Sequence, residues 1–541
     1  MDGFVSFRRS ARLAFVWLWI ASAGIADTAL GACSEPQWIL QRGSSRATWE
    51  SLAGALPGRL RELRGTESSY AWYCGRRPAL SREFRVQPNH VYRVISAGDP
   101  DLAKSWGLEN TGQAISDGGG GTPGKDIGAL PAWAIEAGLN PTLIAVIDSG
   151  IDLEHPELKA NLWRNPKEIP GNHLDDEGNG FVDDVHGYDF AGGSGNAQDD
   201  NNHGTFCAGV IAAEAENGQG SRGVVRRAKL MAVKFLDASG TGTTAAAIEA
   251  IRYAVNNGAK LVNASWGGGK FDQALYDTVK WAGDRGVLFV AAAGNEGKDN
   301  DADPAPTYPA SFSLPNVIAV AALDNRDRLA SFSSFGKQTV QLAAPGVEIW
   351  GPIRGGYKFG DGTSFAAPFV VGVAALVLSR FPSMGIPALR ERLLMTSDVI
   401  GYYEKEKLQT SGRVHALNAI RDSRPPRPVA PVQWSTFIES AGTAHPYVNK
   451  TSLRLEFRHP GATHVRVRFR GFDTEACCDG VVLKDARGRL VASYAGNRGD
   501  FWSADALGDT VYVEFASDYS MVAHGFDVDA SQASSEPSPW D

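Results

Sequence analysis

The chain has 541 residues, 43% of them hydrophobic, and a formal net charge of −8. That length suggests two to four domains with sizeable cores, and the acidic balance gives no electrostatic ground for a nucleic-acid partner. Its five cysteines, Cys33, Cys74, Cys207, Cys477 and Cys478, stand at no metal-ligand spacing and are too few for a disulfide framework. Cys477 and Cys478 are adjacent and pair with each other only under strain; a bridge from either to Cys207 stays open.

At the N-terminus Arg8, Arg9 and Arg12 precede an apolar run from Leu13 to Ala26, and small residues follow up to Ala32. This is the charged, apolar, small-residue order of a secretory signal, so residues 1–32 are expected to be a signal peptide on an exported chain. The run is short for a membrane anchor. Leu30-Gly31-Ala32-Cys33 resembles a bacterial lipoprotein processing site. A lipid on Cys33 would make the protein a periplasmic or outer-membrane lipoprotein, and membrane attachment is expected only in that case. Residues 34–95 carry ten Arg and five Glu with neither Lys nor Asp, a net of +5 ahead of an acidic body. Such a segment can dock on that body electrostatically; a small independent domain of incidental charge is the alternative.

From Leu143 the pattern changes. Leu143–Ile147, Leu230–Phe235, Leu261–Ala264, Val287–Ala292 and Val317–Ala321 read as short buried strands. Between them Thr243–Asn257 and Phe271–Arg285 show helical periodicity, and Gly258 and Gly286 stop them. Apolar strands alternating with helices mean an α/β domain with a doubly wound, mostly parallel sheet covered on both faces, here over residues 100–421. The Pro-rich stretch 422–431 reads as a stiff linker. Beyond it Leu453-Leu455-Phe457, Val465-Val467-Phe469 and Val511-Val513-Phe515 alternate with period two, which indicates an antiparallel β-sandwich over 432–530. The polar tail 531–541 reads as disordered.

Chemistry concentrates at three element ends. Gly362-Thr363-Ser364-Phe365-Ala366-Ala367-Pro368 joins a Gly-rich loop to an uncharged run that reads as a buried helix. Taken alone, Ser364 reads as an N-cap, although the unpaired N–H groups of a helix start also favour negative charge. Ile144–Asp148 is a buried strand ending in a carboxylate, and His203-Gly204-Thr205 opens another helical run. Alone, Asp148 reads as a turn residue and His203 as a satisfied polar one. Together with Ser364 they occupy one strand end and two helix starts of one sheet, positions that can converge in a crevice.

Asp148-Ser149-Gly150, His203-Gly204-Thr205 and Gly362–Pro368 resemble the three signature blocks of the subtilisin-like serine proteases (subtilases), in that family's order Asp, His, Ser. The resemblance covers roughly residues 100–421 and departs at Phe365, where the family usually has Met. It implies that Ser364 attacks the scissile carbonyl, His203 takes its proton and Asp148 orients the imidazole, while Asn295 and the Ser364 N–H stabilise the oxyanion. Ser239-Gly240 and Ser265-Trp266-Gly267 resemble segments that flank the bound peptide, and Ala293-Gly294 would wall the S1 pocket with Thr307 near its base. Asp299, Asp301 and Asp303 either make that pocket acidic or form a solvated loop, so the P1 preference stays open.

Around Gly178 and Gly180, Asp175, Glu177, Asn179 and Asp183 match the start of a calcium loop, although His186 stands where an EF-hand has its twelfth-position Glu. Related secreted subtilases often carry such a loop, so structural Ca²⁺ is expected. Residues 33–99 resemble a subtilase pro-segment of small α+β fold, which implies an inhibitor removed by self-cleavage near residues 93–105. The C-terminal region resembles CUB-like modules, whose calcium ligands Glu475, Asp479 and Asp518 match. The expectation is a secreted serine endopeptidase made as a self-processing precursor, with polypeptide substrates and its own pro-segment as partners. The alternative is a catalytically silent subtilase fold that binds through its C-terminal module.

Overall fold

A computed structural model describes residues 98–538, apart from 116–118, 269 and 303–305, together with parts of the stretch 37–88. The expected signal peptide, Cys33, Asp303 and residues 93–97 of the expected self-cleavage region lie outside the described residues. The chain divides into two compact units, Met1–Ser96 and Ala97–Asp541.

In the first unit β1 (Gln37–Arg42), β2 (Arg59–Glu62), β3 (Tyr70–Cys74) and β4 (Phe84–Pro88) form an antiparallel sheet in the order β2-β3-β1-β4. Trp38, Leu40, Ala71 and Tyr73 are buried in its core. The helical part expected there lies outside the described residues.

The second unit is built on a nine-stranded sheet. Its strands are β5 (Thr142–Asp148), β6 (Gly187–Asp189), β7 (Ala228–Lys234), β8 (Leu261–Ala264), β9 (Leu288–Ala292), β10 (Val317–Leu323), β11 (Leu342–Pro345), β14 (Asp398–Val399) and β15 (Gly412–Arg413). A separate hairpin, β12 (Ile349–Ile353) with β13 (Gly356–Gly360), follows β11. The sheet order is β14-β15-β11-β10-β9-β8-β5-β7-β6, with only the β14/β15 pair antiparallel.

Successive residues of each strand enter opposite cores. Ile144, Val146, Leu230 and Ala232 pack on one side, and Ala145, Ile147, Met231 and Val233 on the other. Both faces therefore need helices. On the first side lie α1 (His203–Ala212) and α4 (Thr363–Arg380); on the second lie α2 (Thr244–Asn256) and α3 (Gln273–Gly283). The last two begin where a side chain caps them: Thr243 Oγ1 accepts from Ala246 N at 3.2 Å, and Asp272 Oδ1 from Leu275 N at 2.9 Å. The apolar run after Ser364 is α4, long and apolar enough to cross a membrane but buried as the core helix.

The linker is tied down rather than free: Arg427 donates to the carbonyls of Thr410 (3.0 Å) and Leu394 (2.7 Å). Nine strands follow, β16 (Ser435–Gly442), β17 (Ser452–Arg458), β18 (His464–Asp473), β19 (Gly480–Asp485), β20 (Leu490–Tyr494), β21 (Asn497–Trp502), β22 (Ala506–Leu507), β23 (Thr510–Ala516) and β24 (Gly525–Ser534). They form two antiparallel sheets around Val465, Val467, Phe469, Val513, Phe515 and Phe526, consistent with a β-sandwich. Its last strand runs to Ser534, so the expected sandwich boundary at 530 and a disordered tail from 531 are corrected. Ser531 is buried, and its hydroxyl donates to Glu439 Oε1 at 2.5 Å. Tyr403 OH donates to Asp485 Oδ2 at 2.8 Å, and Lys405 pairs with Asp505 at 2.8 Å, joining the sandwich to the α/β body. Cys477 and Cys478 are bonded to each other, and Cys207 is a buried free thiol.

Candidate active site

Asp148 ends β5 at the carboxyl edge of the sheet, and its side chain is fully buried. His203 is the first residue of α1, and its Nδ1–H donates to Asp148 Oδ1 at 2.7 Å. An imidazole held this way presents Nε2 as its acceptor. The two elements meet only because two glycines stand at the crossing. A Cβ on Gly204 would lie 2.1 Å from the Gly150 carbonyl oxygen and 3.1 Å from Asp148 Cβ. Gly204→Ala should therefore push α1 off β5 and destabilise the protein by about 2–3 kcal/mol, read as a lower apparent melting temperature together with lost activity.

Burial, the largest influence on His203, lowers its pKa, but the charge and hydrogen bond of Asp148, with the charge of Asp199, raise it above the ordinary imidazole range. Lys358 on β13 opposes them. Cys207 lies one turn along α1, its thiol pushed well up by burial, which makes it a packed neighbour rather than a competing nucleophile.

Ser364 is the second residue of α4, so its N–H is one of the unpaired donors of a helix start. The cap position is Gly362, which has no side chain to cap the helix; the isolated reading of Ser364 as an N-cap is thereby corrected. The Ser364 hydroxyl donates to the Ser265 carbonyl at 3.0 Å, and the Ser265 hydroxyl donates to the Ser364 carbonyl at 2.7 Å. Among the described residues Ser364 Oγ has no hydrogen bond to His203. The Phe365 ring sits 5.6 Å from the His203 ring and 4.1 Å from Phe206, filling the space beside the histidine.

Asn295 follows β9 at the same sheet edge. Its Oδ1 accepts from Thr363 N and from Thr363 Oγ1, each at 2.9 Å. A backbone N–H can only donate, so this contact fixes which end of the carboxamide is oxygen and leaves Nδ2 as a free, exposed donor next to the Ser364 N–H. A Cβ on Gly362 would lie 3.6 Å from Asn295 Nδ2 and 3.6 Å from Ser364 N, so both donors border one small space.

The expected pocket walls also converge. Gly268 N donates to the Tyr308 carbonyl at 2.9 Å, and Cβ atoms on Gly267 and Gly294 would lie 2.9 Å and 2.7 Å from Thr307. Ala293 is buried, its carbonyl accepting from Asn300 at 2.8 Å. The Trp266 ring packs on Phe235 at 4.7 Å. With the Ser265 hydroxyl already engaged, this segment offers a peptide its backbone rather than its side chains. Ser239 and Gly240 form an exposed turn beside Asn201, which donates to Ala238 O at 3.0 Å. Asp301 accepts from Gln338 N and Thr339 N at 2.7 and 2.9 Å, so its carboxylate is engaged in that loop.

The acidic loop is rearranged from the expected set. Asp175 and Glu177 come together with Glu168, which sequence spacing missed. Asp183 has φ 53° and turns away, accepting from Gly171 N (2.7 Å) and His173 N (3.1 Å). Asn179 Oδ1 accepts from Phe181 N at 2.7 Å and its Nδ2 donates to Glu177 Oε1 at 2.8 Å, so it orients the site and is not part of the oxygen cluster. Glu168 Oε2 and Glu177 Oε2 are buried with no hydrogen-bond partner among the described residues. Burial, with the Glu177 carboxylate beside it, pushes the Glu168 pKa up to about 7. Two orphaned carboxylate oxygens in one cluster fit a hard cation. In the sandwich Glu475, Asp479 and Asp518 do cluster as expected, with Tyr447 OH donating to Asp479 at 2.5 Å.

The sequence model of the subtilase family matches residues 140–420. A thermophilic serine proteinase of Bacillus sp. (strain AK1) is 36% identical over 293 residues, 53% of this chain and 64% of that protein. Thermitase of Thermoactinomyces vulgaris is 36% identical over 302 residues, 55% of this chain and 94% of its own length. A cell wall-associated protease of Bacillus subtilis (strain 168) is 34% identical over 320 residues, 59% of this chain but only 32% of that protein. With a family match over more than half its length and a relative covered almost end to end, the chain belongs to the subtilase family of serine endopeptidases.

Proposed function

We propose that the protein is an exported serine endopeptidase in which Ser364 is the nucleophile, His203 the general base and Asp148 its orienting carboxylate. One observation carries the reading: the Asp148–His203 pair, the hydroxyl of Ser364 and the free amide of Asn295 meet at one carboxyl edge of the sheet. Rotation of the Ser364 hydroxyl from the Ser265 carbonyl toward His203 Nε2 lets the imidazole take its proton as oxygen attacks the scissile carbonyl. The developing oxyanion then accepts from Asn295 Nδ2 and Ser364 N–H. The imidazolium, stabilised by Asp148, returns the proton to the leaving amine. Water repeats the cycle on the acyl-enzyme. Asp148, His203, Ser364 and Asn295 are all present, and silence requires none of them, which favours the peptidase over the silent binding protein. Purified full-length protein should release new internal termini from a denatured polypeptide, read by mass spectrometry. A folded preparation releasing none would count against the reading.

Residues 33–99 are proposed as a pro-segment cleaved by the protein itself, after export directed by residues 1–32. Residues 432–534 are proposed as a CUB-like module with a cation held by Glu475, Asp479 and Asp518. Glu168, Asp175 and Glu177 would hold a structural Ca²⁺, which neutralises carboxylates that otherwise repel. Because protons compete for Glu168, calcium affinity should weaken as pH falls through about 7. Chelation should lower the melting temperature; calcium at about 100 times its Kd is worth about 2.7 kcal/mol. A Glu177→Gln variant should lose most of that response, and an unchanged calcium dependence would remove this loop from consideration.

A further inference from the structure

Behind the Asp148–His203 pair lies a second carboxylate, Asp199, with a fully buried side chain. Its Oδ1 accepts from Ser149 Oγ (2.9 Å), Asn201 N (2.9 Å) and Asn202 N (3.0 Å). Its Oδ2 accepts from Thr205 N (2.9 Å) and Thr205 Oγ1 (2.5 Å). Both oxygens face only donors, and no Lys or Arg pairs with Asp199 among the described residues. The nearby cation, Lys234, is taken by Asp200 at 2.7 Å.

The Ser149 hydroxyl is the link between the two acids. It accepts from Gly204 N at 3.0 Å, so its own proton must go to Asp199. The Ser149 N–H donates to Asp148 Oδ1 at 2.7 Å, the same oxygen that receives His203. The bends at Asn201 and Asn202, the latter at φ 87°, are both held by Asp199, and they deliver His203 as the first residue of α1.

We propose that Asp199 is a positioning residue for the reaction: it seats His203 through Ser149, Gly204 and Thr205, and its charge stands as a second anion behind the imidazole. The inference rests on the reading of His203 as the general base. The groups facing His203 are Asp148 from β5, Asp199 from the turn before α1, the neutral Cys207 from α1, Lys358 from β13 and the Phe365 ring from α4. Of these, only the two carboxylates favour the protonated ring. A base raised in this way works at higher pH and loses activity earlier as pH falls.

The test uses the full chain in two measurements: the acid limb of kcat/KM for a peptide substrate, and NMR titration of the His203 ring in a Ser364→Ala background. Asp199→Asn should move both to lower pH by about 0.5–1 unit. Ser149→Ala, which keeps the charge but breaks the link, should leave the limb in place and lower kcat about tenfold, with KM little changed. A folded Asp199→Asn protein that titrates like the wild type in both measurements overturns the proposal. So does a Ser149→Ala protein with unchanged kcat, which keeps the test open if Asp199→Asn fails to fold. A shift in the NMR titration without one in the kinetic limb supports Asp199's action on His203 and counts against His203 as the base.

Discussion

Ser364→Ala should lower kcat by about 10⁶-fold, because the hydroxyl, the imidazole and the carboxylate act as a unit and removing the nucleophile disables all of it. KM should change little, since the pocket walls at Gly267, Gly294 and Thr307 and the backbone of Ser265–Gly268 do not depend on the hydroxyl. The substitution is also structurally mild. The Ser364 hydroxyl makes one hydrogen bond, to the Ser265 carbonyl, whereas the reverse bond from the Ser265 hydroxyl to the Ser364 carbonyl survives. If the proposed self-cleavage operates, the same variant should keep the N-terminal segment, so N-terminal sequencing should read from about residue 33 in the variant and from the region 93–105 in the active form. A variant that lost the segment when purified alone would show that another protease removes it.

Asn295→Ala should lower kcat by about 10²–10³-fold, about 3–4 kcal/mol of oxyanion stabilisation, with a much smaller effect on KM. The effect comes from orientation. Thr363 holds the carboxamide oxygen twice, so Nδ2 is aimed before substrate arrives and reorganises little when charge develops on the carbonyl oxygen. Asn295→Asp keeps the contact to Thr363 but replaces the donor by a negative oxygen, and it should cost at least as much as the alanine. A rise in KM with kcat unchanged in Asn295→Ala would instead assign Asn295 to ground-state binding.

Asp148, His203 and Ser364 each stand where periodicity changes, at the end of the apolar strand Leu143–Ile147 or at the head of an apolar helical run, but only the resemblance of their three blocks to the subtilases joined them into a candidate triad. The parallel sheet followed from strands apolar at nearly every position, and the cap residues Thr243 and Asp272 stand where their helices begin. The misreadings share a cause: local spacing does not report where irregular chain turns. Asp183 alternates with Asp175 and Glu177 on paper, but a left-handed residue reverses the chain and carries its carboxylate to Gly171 and His173. Glu168 and Asp199 lie in irregular chain with no period to mark them, although Asp199, four residues before His203, is a possible capping carboxylate. Gly355, Gly356 and Gly360 look like a loop, yet Trp350 against Phe359 at 4.7 Å and Tyr357 at 6.0 Å makes that stretch a hairpin. Ser531 and Ser534 look like tail residues because β24 turns serine hydroxyls inward, where Glu439 accepts the first of them.

The central claim is that Asp148 and His203 activate Ser364. An active-site phosphonate that reacts only with an activated serine, applied to the full chain near neutral pH, tests it most directly when the adduct is mapped by mass spectrometry. One adduct is expected, on Ser364, absent from the Ser364→Ala protein and strongly slowed in His203→Ala. A folded wild-type protein that takes no label, or takes it at a site indifferent to both substitutions, would contradict it.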